Sequence, residues 1–210
     1  AVRKITETQG FLIDKTGDVF IKKDDKTGSL LVEMILDKAK QKGTGMWTIQ
    51  SAMDLNIPIP VIDAAVSMRY LSSMKEERMA TAEKYLPIED TVPVNKEQLL
   101  NDCKDALQFA FILAYAQGLH LLHEASKTYS YNVNMAEVVR IWKGGCIIRS
   151  SLLNEIRKAY LAETALNNII HSPVFIETLK NLRPALEQLC NMGMKYKIPV
   201  AAFAASLNYF

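Results

Sequence analysis

Apolar side chains recur at intervals of three and four residues along most of the chain, which is the spacing of amphipathic helices. No segment alternates in the way that a half-buried strand does. Residues 31–40 and the stretch that follows residue 98 are the clearest cases. The positions that carry the pattern are Leu31, Met34, Ile35 and Ala39 in the first, and Leu99, Leu100, Cys103, Leu107, Ala110 and Phe111 in the second. We therefore predict an all-α fold of roughly seven or eight helices, some of about 25 residues.

Polar caps and glycines predict where several helices begin and end. Asn95 precedes Gln98 by three residues, and Asn134 precedes Glu137 by three residues, which is the spacing of a capping box. Helices should therefore begin just after each asparagine. The pair Gly144-Gly145 predicts a tight corner between two packed helices.

The sequence reads as a single helical domain over residues 1–210, truncated at both ends. The longest expected loop, residues 85–95, joins apolar helices that need each other for burial, so it is a poor domain boundary. Residues 1–23 read as the remainder of a helix, and the last apolar pattern stops at Phe210 without a capping glycine or a polar tail.

Composition limits the classes of function. Hydrophobic residues make up 49% of the 210 residues and the formal net charge is +2, which indicates a globular protein and points to neither nucleic acid nor a membrane surface as a partner. The most apolar run, residues 109–122, has about 14 residues and falls short of the ~20 that span a bilayer. We expect it to be a buried central helix.

The sequence has three cysteines, Cys103, Cys146 and Cys190, and their spacing is not that of a disulfide framework or a zinc site. This predicts reduced thiols in a cytoplasmic protein.

The stretch Gln41-Lys42-Gly43-Thr44-Gly45-Met46-Trp47-Thr48 is the strongest candidate for a binding site. Glycines at the start of a helix let unpaired backbone N–H groups approach an oxyanion, and Lys42 adds a full positive charge, so a phosphate or carboxylate would fit. The alternative is purely structural: Gly43 ends the helix of residues 31–40 and Thr44 caps the next helix, with no ligand.

Other candidate residues have structural alternatives as well. Arg69 lies on a mostly apolar stretch, where a buried guanidinium would need an anionic partner; an ion pair with Asp63 or a surface position would also explain it. His120 and His123 are three residues apart, but no third ligand follows at helical spacing apart from Glu124, so we expect no metal site. Cys146 enters an apolar run and is expected to be a core residue.

No residue of this sequence is a candidate for binding a dinucleotide coenzyme. There is no G-x-G-x-x-G motif between a strand and a helix, and no predicted strands from which a Rossmann domain would be built.

Five blocks in order resemble the helical C-terminal domain of the 6-phosphogluconate dehydrogenase family over essentially the whole chain. They are Lys42-Gly-Thr-Gly-Met-Trp-Thr, Ile57-Pro-Ile-Pro, Met68-Arg-Tyr-Leu-Ser-Ser-Met-Lys-Glu-Glu-Arg, Tyr115-Ala-Gln-Gly and Trp142-Lys-Gly-Gly-Cys-Ile-Ile-Arg-Ser. The resemblance implies NADP-dependent oxidative decarboxylation of 6-phosphogluconate to ribulose 5-phosphate in the pentose phosphate pathway. It also implies that NADP and the catalytic lysine and glutamate belong to a preceding segment.

For this chain the resemblance implies a substrate-phosphate site and a homodimer. Lys42, Thr44 and Arg69 match the family positions that hold the phosphate, whereas Met46 stands where the family usually has a second lysine. In the family a C-terminal tail of the other subunit completes the site, so we expect residues 1–210 alone to be inactive. Two alternatives stay open: the helical domain of a related 3-hydroxyacid dehydrogenase with an unphosphorylated substrate, and a non-catalytic helical interaction module.

Overall fold

A computed structural model of the chain describes residues 9–40, 42–85 and 95–210. Within these ranges the predicted all-α class is confirmed: there are ten α-helices, one 3-10 turn and no β-strand. Two isolated bridges, Gly10 with Ser150 and Lys23 with Leu30, are the only extended pairings found there. The helices are α1 Phe11–Ile21, α2 Leu31–Met34, α3 Thr44–Asp54, α4 Pro60–Ser73, α5 Lys75–Ala82, α6 Lys96–Thr128, α7 Met135–Gly145, α8 Leu152–Ala162, α9 Pro173–Lys195 and α10 Ala201–Tyr209, with the 3-10 turn at Ile169–His171.

The helices group into two compact units. The smaller unit holds the described residues up to Asp37 together with Val133–Leu166, and the larger unit holds Lys38–Asn132 and Asn167–Phe210. The assignment of residues 1–210 to one domain stays a prediction. No helix in the described ranges is both long enough and apolar enough to cross a bilayer.

The larger unit is built around α6, which has 33 residues. The predicted burial of residues 109–122 is confirmed for its central positions, since Phe109, Ile112, Leu113 and Ala116 are fully buried. Helices α9, α10 and α4 all pack against α6. As predicted, α6 begins after Asn95, whose side chain accepts hydrogen bonds from the second and third amides of the helix.

In the smaller unit, α7 packs against α8 and begins after Asn134, as predicted. The Asn134 side chain accepts from the Glu137 amide at 3.1 Å. The Glu137 carboxylate accepts from Arg140 at 2.6 Å and from Arg157 at 3.4 Å instead of returning to the cap. Hydrogen bonds from Arg140 first, and then from Arg157, hold the pKa of Glu137 below its usual value.

The predicted helix over residues 31–40 is wrong beyond its first turn, because α2 ends at Met34 and Ile35 is extended. Two of the four positions in the apolar stripe that predicted a longer helix are exposed, Met34 at 50% and Ile35 at 53%, whereas Leu31 and Ala39 are half-buried. A helix of this length gains most of its stability from burying its apolar face. The middle of that face is not covered here, and the amide of Ala39 donates to the Ser72 hydroxyl oxygen rather than to a helical carbonyl.

The corner predicted at Gly144-Gly145 is wrong in its position, although α7 and α8 pack against each other as predicted. Both glycines belong to the last turn of α7, and α8 begins only at Leu152. Cys146 is half-buried rather than a core residue, and the neighbouring Ile147 is 57% exposed. The apolar run that begins at Cys146 is therefore a partly exposed turn rather than part of the core.

Two sequence-based predictions fall partly outside the described residues. Residues 1–8 of the helical remnant predicted at 1–23 lie outside them, and Phe11–Ile21 of the remainder form α1. Most of the predicted loop at 85–95, namely residues 86–94, lies outside them, as does Gln41 of the candidate anion-binding stretch.

Two helical glycines should respond in opposite ways to replacement by alanine. A Cβ atom on Gly193 would lie 2.5 Å from Val200 Cγ1 and 3.2 Å from the Ile198 carbonyl oxygen, whereas one on Gly118 meets nothing within 4 Å. We expect Gly193→Ala to lower the free energy of unfolding by about 1–3 kcal/mol through overpacking. Gly118→Ala should raise it by about 0.5–1 kcal/mol, because alanine loses less backbone entropy in a helix. Urea unfolding of both variants measures the two free energies of unfolding. Equal changes in the two variants would contradict the close packing around Gly193.

Candidate functional site

The candidate anion-binding stretch forms the turn into α3. Gly43 is the N-cap, with φ 101° and ψ −27°, a left-handed conformation that strongly favours glycine. Its carbonyl accepts from the Trp47 amide at 3.0 Å, which is the first intrahelical bond. The preceding amides of the first turn have no partner within the helix and face its N-terminal end. This end of α3 therefore offers backbone donors and a partial positive charge.

Thr44 is the first residue inside α3, so the prediction that Thr44 caps this helix is wrong. The hydroxyl of Thr44 is not used as a cap. Lys42 lies directly before the cap and is exposed. Trp47 is 59% exposed, and its ring lies beside Gly43. Met46 is 39% exposed, so it presents an uncharged surface next to the turn.

Arg69 lies in the second half of α4 and is exposed, which contradicts the expected burial of its guanidinium. The apolar neighbours that suggested burial are themselves at the surface, with Met68 37% and Tyr70 45% exposed. Exposure agrees with the surface alternative, and an ion pair with Asp63 is not formed. Burial raises the pKa of the Asp63 carboxyl, whose Oδ1 atom has no hydrogen-bond partner.

The contact that Arg69 makes is with the backbone just before the α3 turn. Its Nη2 atom donates to the carbonyl oxygen of Lys40. Lys40 precedes Lys42 by two residues and Thr44 by four residues. The structure thus brings the Arg69 guanidinium beside the chain that leads into α3, although the three predicted residues come from different elements.

The segment Lys38–Lys40 is attached to α4 and α5 at each of its residues. Besides the Arg69 contact, Lys38 Nζ lies 3.1 Å from Glu76 Oε1, and the Ala39 amide donates to Ser72 Oγ at 2.9 Å. The carboxylate of Glu76 accepts from its own backbone amide and from Lys38, and both bonds hold its pKa below the ordinary value. Sequence reasoning missed these contacts; the only signal was the polar cluster at the end of the Met68–Arg78 block.

Arg78 completes this arrangement by capping the end of α4. Its Nε atom donates to the Leu71 carbonyl at 3.1 Å and its Nη2 atom to the Ser72 carbonyl at 3.2 Å. Arg78 is half-buried, and these two bonds give it a structural role. Carbonyl groups at a helix C-terminus lack intrahelical donors, so an arginine fork is a suitable cap.

A groove of about 390 Å³ lies elsewhere in the larger unit, between the start of α6 and the end of α9. None of the three predicted substrate-binding residues lines it. The lining residues are Asn95, Gln98, Leu99, Asp102, Gln188, Asn191, Met192, Lys195 and Tyr196.

The histidines on α6 are partly enclosed. Burial lowers the pKa of His120, and His120 Nδ1 and His123 Nε2 are buried without a hydrogen-bond partner. Within the described ranges no three His, Cys, Asp or Glu side chains are grouped so as to hold a metal ion. The three cysteines are free thiols, and burial raises the pKa of Cys103 and Cys190.

Replacement of the α3 cap tests the geometry of the turn. Gly43→Ala places a side chain at φ 101°, so we expect a loss of about 1–2 kcal/mol in the free energy of unfolding. Gly144→Ala is the matched control, since Gly144 is helical and a Cβ atom there meets nothing within 4 Å. Urea unfolding should show a loss for the first variant and none for the second; a neutral Gly43→Ala would argue against the left-handed cap.

Comparison with known proteins identifies the family. A family model described as 6-phosphogluconate dehydrogenase, C-terminal domain, matches residues 3–210. The chain is 44% identical to a decarboxylating 6-phosphogluconate dehydrogenase of Synechococcus elongatus, with an alignment that covers 100% of this chain and 45% of that protein. It is 40% identical to the NADP(+)-dependent, decarboxylating 6-phosphogluconate dehydrogenase of Bacillus subtilis, covering 97% of this chain and 44% of that protein.

A solved structure shares the fold. The 6-phosphogluconate dehydrogenase of Plasmodium falciparum, studied in its apo form, with its cofactor NADP+ and with its substrate 6-phosphogluconate, superimposes with a TM-score of 0.92 at 38% identity. The superposition covers 99% of this chain and 44% of that one. The chain thus spans less than half the length of the relatives it matches, and it belongs to the 6-phosphogluconate dehydrogenase family, in which it corresponds to the C-terminal domain.

Proposed function

We propose that the chain is the substrate-phosphate-binding and dimer-forming domain of an NADP-dependent, decarboxylating 6-phosphogluconate dehydrogenase. The whole enzyme would oxidise 6-phosphogluconate and release carbon dioxide to give ribulose 5-phosphate in the cytoplasmic pentose phosphate pathway. The family match and the names of the relatives support this reaction.

The observation that supports the phosphate site is the contact between Arg69 and the Lys40 carbonyl. This contact uses one end of the guanidinium and leaves other N–H donors available to an anion. Arg69 would supply a planar fork, Lys42 a point charge, and Thr44 a hydroxyl beside the free amides of α3. A phosphate dianion suits such a mixed set of donors.

The proposed role of this domain is orientation rather than bond chemistry. The phosphate is remote from the carbons that react, so holding it restricts the sugar acid to one position and one direction. Binding energy gained away from the reacting centre lowers the barrier when it fixes the substrate geometry. We assign no catalytic residue and no NADP-binding residue to this chain, and we expect residues 1–210 alone to be inactive.

The role in a homodimer rests on exposed apolar surface in the larger unit. Large apolar side chains of α3, α4, α5 and their junctions are at least one-third exposed, which is typical of surfaces that contact another protein. They are Met46, Trp47, Met53, Met68, Tyr70, Leu71, Met74 and Met79.

Two other functions are less well supported. The helical domain of a 3-hydroxyacid dehydrogenase with an unphosphorylated substrate would have no use for Lys42, Thr44 and Arg69 together. A non-catalytic interaction module would not require the match to dehydrogenases over the whole chain. Selectivity for the phosphorylated acid separates the first alternative from the proposal.

The phosphate site is tested with Arg69→Ala in the full-length protein that carries this domain. We expect wild-type protein to bind 6-phosphogluconate and not gluconate, and the variant to bind 6-phosphogluconate about tenfold or more weakly, because a charge-assisted hydrogen bond is lost. Titration calorimetry at fixed ionic strength measures both acids.

Arg183→Ala is the control for net charge. Arg183 pairs with Glu187 on α9 at 2.7 Å and has an exposed side chain, so its removal changes the charge equally without touching the site. Two results would contradict the proposed substrate: equal affinity of the wild-type protein for gluconate and 6-phosphogluconate, or an equal loss of 6-phosphogluconate affinity in Arg69→Ala and Arg183→Ala. Neither result would change the family assignment.

A further inference from the structure

Two adjacent serines at the end of α4 make different kinds of hydrogen bond. The hydroxyl of Ser73 donates to the Tyr70 carbonyl of the same helix, at 2.7 Å. The hydroxyl of Ser72 instead accepts from the amide of Ala39, 33 residues away in the chain, at 2.9 Å. Of the two serines, only Ser72 therefore connects α4 to the segment that leads into the α3 turn.

Ser72 and Arg69 act on that segment from one face of α4. They are three residues apart, which places them on neighbouring positions of the same helical surface. Ser72 accepts from the Ala39 amide and Arg69 donates to the Lys40 carbonyl, so the helix contacts the backbone of two successive residues. Two contacts of this kind fix both the position and the direction of the segment.

Neighbouring contacts hold Ser72 and the segment that it bonds in place. Its own carbonyl accepts from Arg78, which ties the end of α4 to α5. Lys38, the residue before Ala39, pairs with Glu76 at 3.1 Å. Ser72 and Ala39 are both half-buried, where a backbone amide without an acceptor is costly.

From this geometry we infer that Ser72 is a positioning residue for the phosphate site. It holds residues 38–40 in place, and thereby sets where Lys42 and Thr44 stand relative to Arg69. The inference rests on the proposed phosphate-binding function. Ser72 itself touches no substrate in this scheme; it acts through the backbone of Ala39.

The test compares Ser72→Ala with Ser73→Ala in the full-length protein. Both substitutions remove one hydroxyl from neighbouring positions of one helix, and alanine is a good helix former, so both variants should fold, which thermal unfolding checks. We expect Ser72→Ala to weaken 6-phosphogluconate binding about fivefold, the equivalent of one lost hydrogen bond. Ser73→Ala should bind 6-phosphogluconate within about twofold of wild type, and Ser72→Thr, which keeps the hydroxyl, should restore the affinity.

Two further readouts distinguish positioning from a general loss of stability. Hydrogen exchange at the Ala39 amide should speed up in Ser72→Ala and not in Ser73→Ala, because only the first loses the acceptor. The KM for 6-phosphogluconate should rise in Ser72→Ala, while the KM for NADP stays unchanged.

The outcomes separate this inference from the proposed function. If Arg69→Ala weakens binding while Ser72→Ala behaves like Ser73→Ala, the role of Ser72 is overturned and the phosphate site stands. A parallel rise in the KM for NADP in Ser72→Ala would also overturn the inference, since it would indicate a general structural effect. If Arg69→Ala itself leaves 6-phosphogluconate binding unchanged, the proposed phosphate site is overturned, and the inference about Ser72, which rests on it, is overturned as well.

Discussion

Helix α6 buries apolar side chains along most of its length, and α9, α10 and α4 all pack against it. Burial of apolar area is the main favourable term in folding, and the fully buried Phe109, Ile112, Leu113 and Leu119 belong to this one helix. Phe109 also makes an edge-to-face contact with Phe210, with ring centroids 5.3 Å apart. The larger unit depends on this central helix, because its other long elements are placed by their contact with it.

Within this apolar core, one polar contact links α6 to α4, the helix that carries Arg69. Gln117 is fully buried and its Oε1 atom accepts from the Val61 amide at 3.0 Å. Helix α4 begins with Ile59 as its N-cap, which has no side chain able to accept, and with Pro60, which has no N–H. Gln117 therefore supplies from α6 the acceptor that α4 lacks locally, at the opposite end from Arg78.

The candidate site is connected to α6 through α4. Helix α4 is held at its start by Gln117 and at its end by Arg78, and between them its surface meets the segment Lys38–Lys40. A phosphate-binding arginine would need such support because its side chain is exposed. Fixing the helix and the neighbouring backbone limits the positions that the guanidinium can take, which is how a site on the surface acquires a defined geometry.

The sequence by itself determined the helical class, the starts of α6 and α7, and the family. Helical periodicity and the caps at Asn95 and Asn134 depend on residues three or four apart, so they can be read from local order. The tertiary structure decided what is not local. Residues 35–40 are not helical and Arg69 is exposed, because apolar stripes form helices or cores only where another element covers them. The contacts of Ser72 with Ala39 and of Gln117 with Val61 join residues 33 and 56 positions apart, so no pattern along the chain predicts them.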